Sequence, residues 1–136
     1  MAYTINKAPH VRDEVTIQDG DQTLTLTVDL YVDDVLADIS RVRAELAEAQ
    51  QKIRRLKQEG AGDAETIDAV NNLTGAATEL FRLIFGEEQT IQIDQFYNGR
   101  TLSMLADFMP YFTDVILPAI KDAQKRLADT YTAWRR

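Results

Sequence analysis

Between Glu14 and Leu30 apolar residues fall on every second position, and from Val32 onward they fall on every third or fourth. The first stretch, EVTIQDGDQTLTLTVDL, places Val15 and Ile17 on one run and Leu24, Leu26 and Val28 on the next, with Asp19-Gly20 between them. Period two around a turn dipeptide predicts a β-hairpin with one apolar face. A lone hairpin is marginal in water, so helices must cover that face or another strand must extend it.

The second stretch, residues 32–59, steps strictly by three and four through Val32, Val35, Ile39, Val42, Leu46, Ala49, Ile53 and Leu56. This is the a/d stripe of a long helix, with no Gly or Pro to interrupt it. Asp33, Asp34 and Asp38 crowd its start and Lys52, Arg54, Arg55 and Lys57 its end, so the charges complement the helix dipole. At 1.5 Å per residue such a helix is about 42 Å long, more than a small domain is wide, and must protrude or pair. Val35, Ile39, Val42, Leu46, Ile53 and Leu56 are therefore candidates for a self-association seam, filled either within the chain or between chains.

GAGD at 60–63 stops this helix, and a second follows over 64–85 with Ile67, Val70, Leu73, Ala77, Leu80 or Phe81, and Ile84 on its apolar face. The short loop makes the two an antiparallel helical hairpin. Gly86 reads as its C-terminal stop. A short helix from about Thr90 to Tyr97 ends at Asn98-Gly99, and another runs from a Thr101 cap to Pro110, with Leu102, Leu105 and Phe108 on one face. A last helix covers about 112–134 and carries Ile116, Ile120, Ala123, Leu127, Tyr131 and Trp134. Pro118 kinks it or marks its first turn. The fold class is mostly α with a small N-terminal β-hairpin (α+β). A single domain over 1–136 divides into a hairpin lead (1–31), a helical hairpin (32–86), and short helices with the C-terminal helix (87–136).

Charge narrows the range of functions. The net charge is −7, which argues against a nucleic-acid backbone as ligand. Residues 61–99 alone contribute −6, seven carboxylates against one arginine. Arg54, Arg55 and Lys57 belong to a helix that is neutral as a whole, and they read as its solvated end. With no Cys there is no disulfide framework and no thiol site. No run approaches the roughly 18 apolar residues of a membrane span, and the N-terminal residues lack the apolar centre of a signal peptide, so a cytoplasmic protein is expected.

Candidates for chemistry are few. His10 is the one histidine, in a polar lead beside Pro9, and reads as part of a solvated tail. Asp33-Asp34 and Glu87-Glu88 invite a metal reading, but adjacent residues diverge on a helix and both pairs suit helix ends. No glycine-rich loop has the lysine and the strand-to-helix setting of a phosphate site. The expectation is a binding or assembly protein without catalytic, metal or cofactor residues.

Seven of the 11 aromatic residues lie between Phe81 and Phe112. Short helices cannot stand alone, so most of these side chains must pack onto the helical hairpin. Tyr97, Tyr111 and Trp134 are expected to stay partly exposed, their polar tips suiting a boundary. Phe96, Tyr97, Phe108, Tyr111, Phe112 and Trp134 are the candidate partner-binding residues.

The stretch LFRLIFGEEQTIQIDQFYNGRTLSMLADFMPYFTDVILPAI, residues 80–120, resembles the tail assembly chaperones of long-tailed bacteriophages and prophages of Gram-positive bacteria. A helix ending LIFGEE, an FYNG turn, an ML…MPYF helix and the ILPAI start of the last helix carry the resemblance, and the rest agrees in layout. The resemblance implies a non-catalytic protein of the host bacterial cytoplasm that binds tape measure and tail tube proteins and is absent from the mature virion. Some such chaperones are also made in a longer, frameshifted form. A homo-oligomer is expected, and the client surface is expected near Tyr97, Tyr111 and the outer face of the helical hairpin, rimmed by the acidic middle of the chain. The alternative is a structural phage protein or a coiled-coil homo-oligomeric interaction protein; an enzyme would need a metal near Asp33-Asp34 or Glu87-Glu88.

Overall fold

The alternation that begins the chain does form a hairpin, longer at both ends than the apolar residues alone mark. A computed structural model describes residues 2–5, 10–60 and 62–134, the side chain of Trp134 excepted. Strand β1 (His10–Asp19) pairs antiparallel with β2 (Gln22–Tyr31), in a register running from His10 opposite Tyr31 to Asp19 opposite Gln22. The turn is Gly20-Asp21, one residue beyond the expected dipeptide, and Gly20 takes φ 59° at its first position. A positive φ there lets a two-residue turn follow the twist of the strands. Leu26 and Val28 on the inner face are wholly buried, while Thr16, Thr25 and Thr27 face outward. His10 is not a tail residue: it opens β1, lies 4.7 Å from the Tyr31 ring and has Nε2 3.5 Å from Asp29 Oδ1.

Helix α1 (Val32–Glu59) has the limits its pattern predicts. Asp33 and Asp34 stand in its first turn and Lys57 in its last, and Gly60 closes it in the left-handed region at φ 66°. Its stripe faces inward. Val35, Ile39, Val42 and Leu46 are buried in the main core, Leu56 is buried farther out, and Ile53 is partly covered. The candidate self-association seam is therefore occupied within the chain, where the antiparallel partner α2 covers it.

Helix α2 (Asp63–Phe96) runs past its expected end. Gly86, at φ 80° and ψ 167°, bends the chain without a loop, and the helix resumes through Phe96 as a second limb. Glu87 and Glu88 lie in the first turn of that limb, where the helix dipole favours acids. Leu73, Ala77, Leu80, Phe81, Ile84 and Phe85 are buried. Ile67, expected on the same face, is 57% exposed, while Ala69 is buried. So far from the body only α1 is there to pack against, and a single neighbour covers a narrower stripe.

Helices α3 (Thr101–Tyr111) and α4 (Leu117–Trp134) are joined by a single π-helical segment, Phe112–Ile116, into one bent rod. Two expectations are corrected. Pro110 does not end α3, and Thr101 is its first residue with Arg100 at the cap position. Pro110 and Pro118 have no N–H to offer the carbonyls of Ala106 and Asp114. The ladder is already interrupted on both sides, and the wider turn between them sends the Leu117 N–H to the Phe112 carbonyl. Leu102 is 47% exposed, leaving Met104, Leu105 and Phe108 as the inward face.

Phe81 and Phe85 from α2 meet Phe108 and Phe112 at the core's centre, with ring centroids 5.0 to 6.2 Å apart. One apolar cluster joins Val11 of β1 to Ala123 of α4 and draws on every element. The protein is mostly helical with a small antiparallel hairpin at its N-terminal end.

Candidate binding cleft

Where the hairpin turn meets the end of α2 and the start of α3, the helices do not close over the sheet. The gap is a cleft of about 550 Å³. Its strand wall is Val15 to Asp19, and its helical wall is built by Phe96, Tyr97, Asn98, Arg100, Ser103, Asp107, Phe108 and Tyr111. Five consecutive strand residues contribute, from both faces of the sheet, so the cleft follows the edge of β1 and does not lie under one face alone.

That edge is open for a reason the hydrogen bonds make explicit. The Gln89 side-chain amide accepts from the Thr27 N–H at 2.8 Å and donates to the Thr27 carbonyl at 2.7 Å. Both backbone groups of Thr27 thus point away from β1, toward the second limb of α2. In an antiparallel pair the residue opposite must point the other way, and Glu14 is opposite Thr27. Thr16 and Gln18 share the orientation of Glu14 by the two-residue alternation. On the outer edge of β2 the glutamine caps Thr27, while the outer edge of β1 faces the cleft. Among the described residues, the Glu14 N–H meets the Asp13 carboxylate at 2.9 Å, and the backbone groups of Thr16 and Gln18 on that edge have no protein partner.

Two tyrosine–aspartate pairs hold the helical wall in place. Tyr97 donates its hydroxyl to Asp107 Oδ2 at 2.8 Å, joining the end of α2 to α3. Tyr111 donates to Asp13 Oδ2 at 2.7 Å, joining α3 to β1. Burial pushes both phenols well above their usual range. The hydrogen bond to the carboxylate and its charge add to the effect at each, as does the charge of Asp19 at Tyr97. Both phenol protons are thus committed to structure. What the cleft offers a ligand is aromatic surface, an unpaired strand edge, and Asp19 and Asp107 opposed by Arg100.

Of the six candidate partner-binding residues, Phe96, Tyr97, Phe108 and Tyr111 come together in this cleft. Phe112 does not: it is wholly buried in the phenylalanine core, on the same helical face as Leu105 and Phe108. The Trp134 side chain lies outside the described residues. Sequence reasoning missed the strand wall and Asp13. The signal was present, since Asp13 sits in step with Val11, Val15 and Ile17, a lone acid on an apolar face.

Among the described residues no helix is long and apolar enough to cross a membrane. Compared with protein-family models, with curated proteins and with solved structures, the chain finds no match.

Proposed function

We propose that this chain is a non-catalytic phage tail assembly chaperone that binds the tape measure protein, the tail tube protein or both in the host cytoplasm. One observation carries the reading. The FYNG turn and the MPYF helix, which bear the sequence resemblance, are the segments that build the helical wall of the cleft, through Phe96, Tyr97, Asn98, Phe108 and Tyr111. An aromatic cleft beside an open strand edge suits a protein that shields the exposed segments of another. The coiled-coil alternative loses its main support, since the stripe on α1 is covered by α2; a homo-oligomer would need another surface.

Co-expression with the tape measure protein of the same genome tests the reading. The chaperone should keep the client soluble and should be absent from purified particles. Ser103→Trp, which fills the cleft from an exposed position on α3, should release the client while leaving the fold intact. Tyr111→Asp would be a poor variant, because it sets a second carboxylate against Asp13. A client equally soluble with and without this protein would remove the reading, and so would a stable place in the finished particle.

A further inference from the structure

We infer that the cleft takes its ligand as an added β-strand: an extended segment, apolar on alternate residues and carrying lysine or arginine at its ends, pairs with the outer edge of β1. The inference rests on reading the chain as a client-binding protein, and goes beyond it by fixing the conformation and chemistry of what is bound.

Three observations lead to it. First, the edge groups of Thr16 and Gln18 point into the cleft, by the register that the Gln89 clamp on Thr27 establishes. A helix has no spare backbone groups along its length to satisfy them, whereas two alternate residues of an extended chain would make four hydrogen bonds. Second, side chains directly opposite across a strand pair share a face. Ligand residues opposite Val15 and Ile17 would therefore enter the cleft against Phe96, Phe108 and Tyr111, and those opposite Thr16 and Gln18 would face solvent. The ligand must alternate as β1 does. A volume of about 550 Å³ has room for two such apolar side chains. Third, the charges are complementary to a basic segment. Asp19 on the strand wall and Asp107 on the helical wall stand against Arg100, and beyond the other end of the strand wall Asp13 and Glu14 stand beside Arg12, itself 3.9 Å from Asp29.

The probe is a capped seven-residue peptide alternating valine and threonine between terminal lysines, titrated to millimolar concentration into the isotope-labelled full chain. Amide shifts should concentrate at Glu14, Thr16, Gln18 and the 96–111 wall. Thr16→Pro removes an outward N–H without touching the β1–β2 ladder, a position where an edge strand tolerates proline, and should weaken binding at least tenfold. Should that variant fail to fold, Ser103→Trp serves instead and should weaken binding as much. A peptide with glutamates for the terminal lysines should bind several-fold less tightly. Shifts confined to another surface, no shift at all, or equal affinity in the folded variants would overturn the inference. So would preferential binding of a helical peptide of the same charge. If the peptide docks on β1 but the tape measure protein gains no solubility, the proposed function fails and the strand site stands. If the client is kept soluble by wild type and variants alike, the strand site fails and the function stands.

Discussion

The two ends of the α1–α2 hairpin are written in the same pattern and behave differently. At the body end Val35, Ile39, Val42 and Leu46 belong to a core that also holds strand residues and four phenylalanines. There Arg41 reaches across from α1 to Glu79 of α2 at 2.6 Å and along its own helix to Glu45 at 3.1 Å. At the far end Leu56 and Ala69 are buried outside that cluster, Ile53 is partly covered and Ile67 faces solvent. A heptad stripe states which residues could be buried together; how deeply they are buried depends on how many other elements arrive. The body end receives the sheet and the α3–α4 rod, and the far end receives one helix.

The sharpest way to break this comparison is to place the same charge at both ends. Ile39→Asp puts an unpaired carboxylate in the core and should cost several kcal/mol, in the range where a small domain unfolds. Ile67→Asp, on an exposed position of the predicted apolar face, should change stability by about 0.5 kcal/mol or less. Denaturant melts of the two variants measure the contrast. Equal losses would mean that the far end is as tightly packed as the body.

Cavity formation should rank the regions next. Phe112→Ala removes a ring that contacts four others and should cost about 3–5 kcal/mol, whereas Leu56→Ala should lie near the lower limit for such truncations, about 2 kcal/mol. Hydrogen exchange gives the same ranking without mutation. Amides around Leu80 to Phe85 should open only with global unfolding, and those around Ile53 to Ala69 should open locally at lower free energy. A single protection level along α1 and α2 would contradict that division.

What the sequence made legible follows the same line. The limits of α1 were readable because an uninterrupted stripe, acids at one end, bases at the other and a closing glycine agreed with one another. Gly86 was readable as a break but not as a bend, because a glycine suits either; the Gln89 grip on Thr27, 62 residues away, helps hold the second limb against the sheet. Pro110 misled, since a proline that ends most helices can be absorbed where a wider turn follows. At the cleft the aromatic wall was legible from residue type. The strand wall was not, because an open edge is a property of pairing that no single residue announces.

Gln89 distinguishes the two edges of the sheet and offers a smaller test. Gln89→Ala returns the Thr27 N–H and carbonyl to water; because the site is exposed, the loss should be only about 1 kcal/mol. Its more telling consequence is for assembly. With Thr27 uncapped a longer stretch of the β2 edge is open to strand addition, and the variant should self-associate more readily than wild type at equal concentration in light scattering. A variant as monodisperse as wild type would show that the second limb of α2 covers β2 without the glutamine.

The last effect concerns pH. In the folded chain the Tyr97 and Tyr111 phenols are held above their ordinary range, chiefly by burial and then by Asp107 and Asp13, so the folded state keeps protons that the unfolded state releases. Stability from this source is complete below the unfolded value of about 10 and declines as pH rises through it toward the folded values. At pH 10.5 the loss should be at most about 0.8 kcal/mol for each of the two tyrosines, reduced by solvent screening at these partly exposed groups. Replacing Tyr97 and Tyr111 with phenylalanine lowers the baseline by removing two hydrogen bonds, so the informative quantity is the change between pH 8 and pH 10.5. That change should shrink in the double variant, and its persistence would place the titrating groups away from the cleft, in the body or along the helical hairpin.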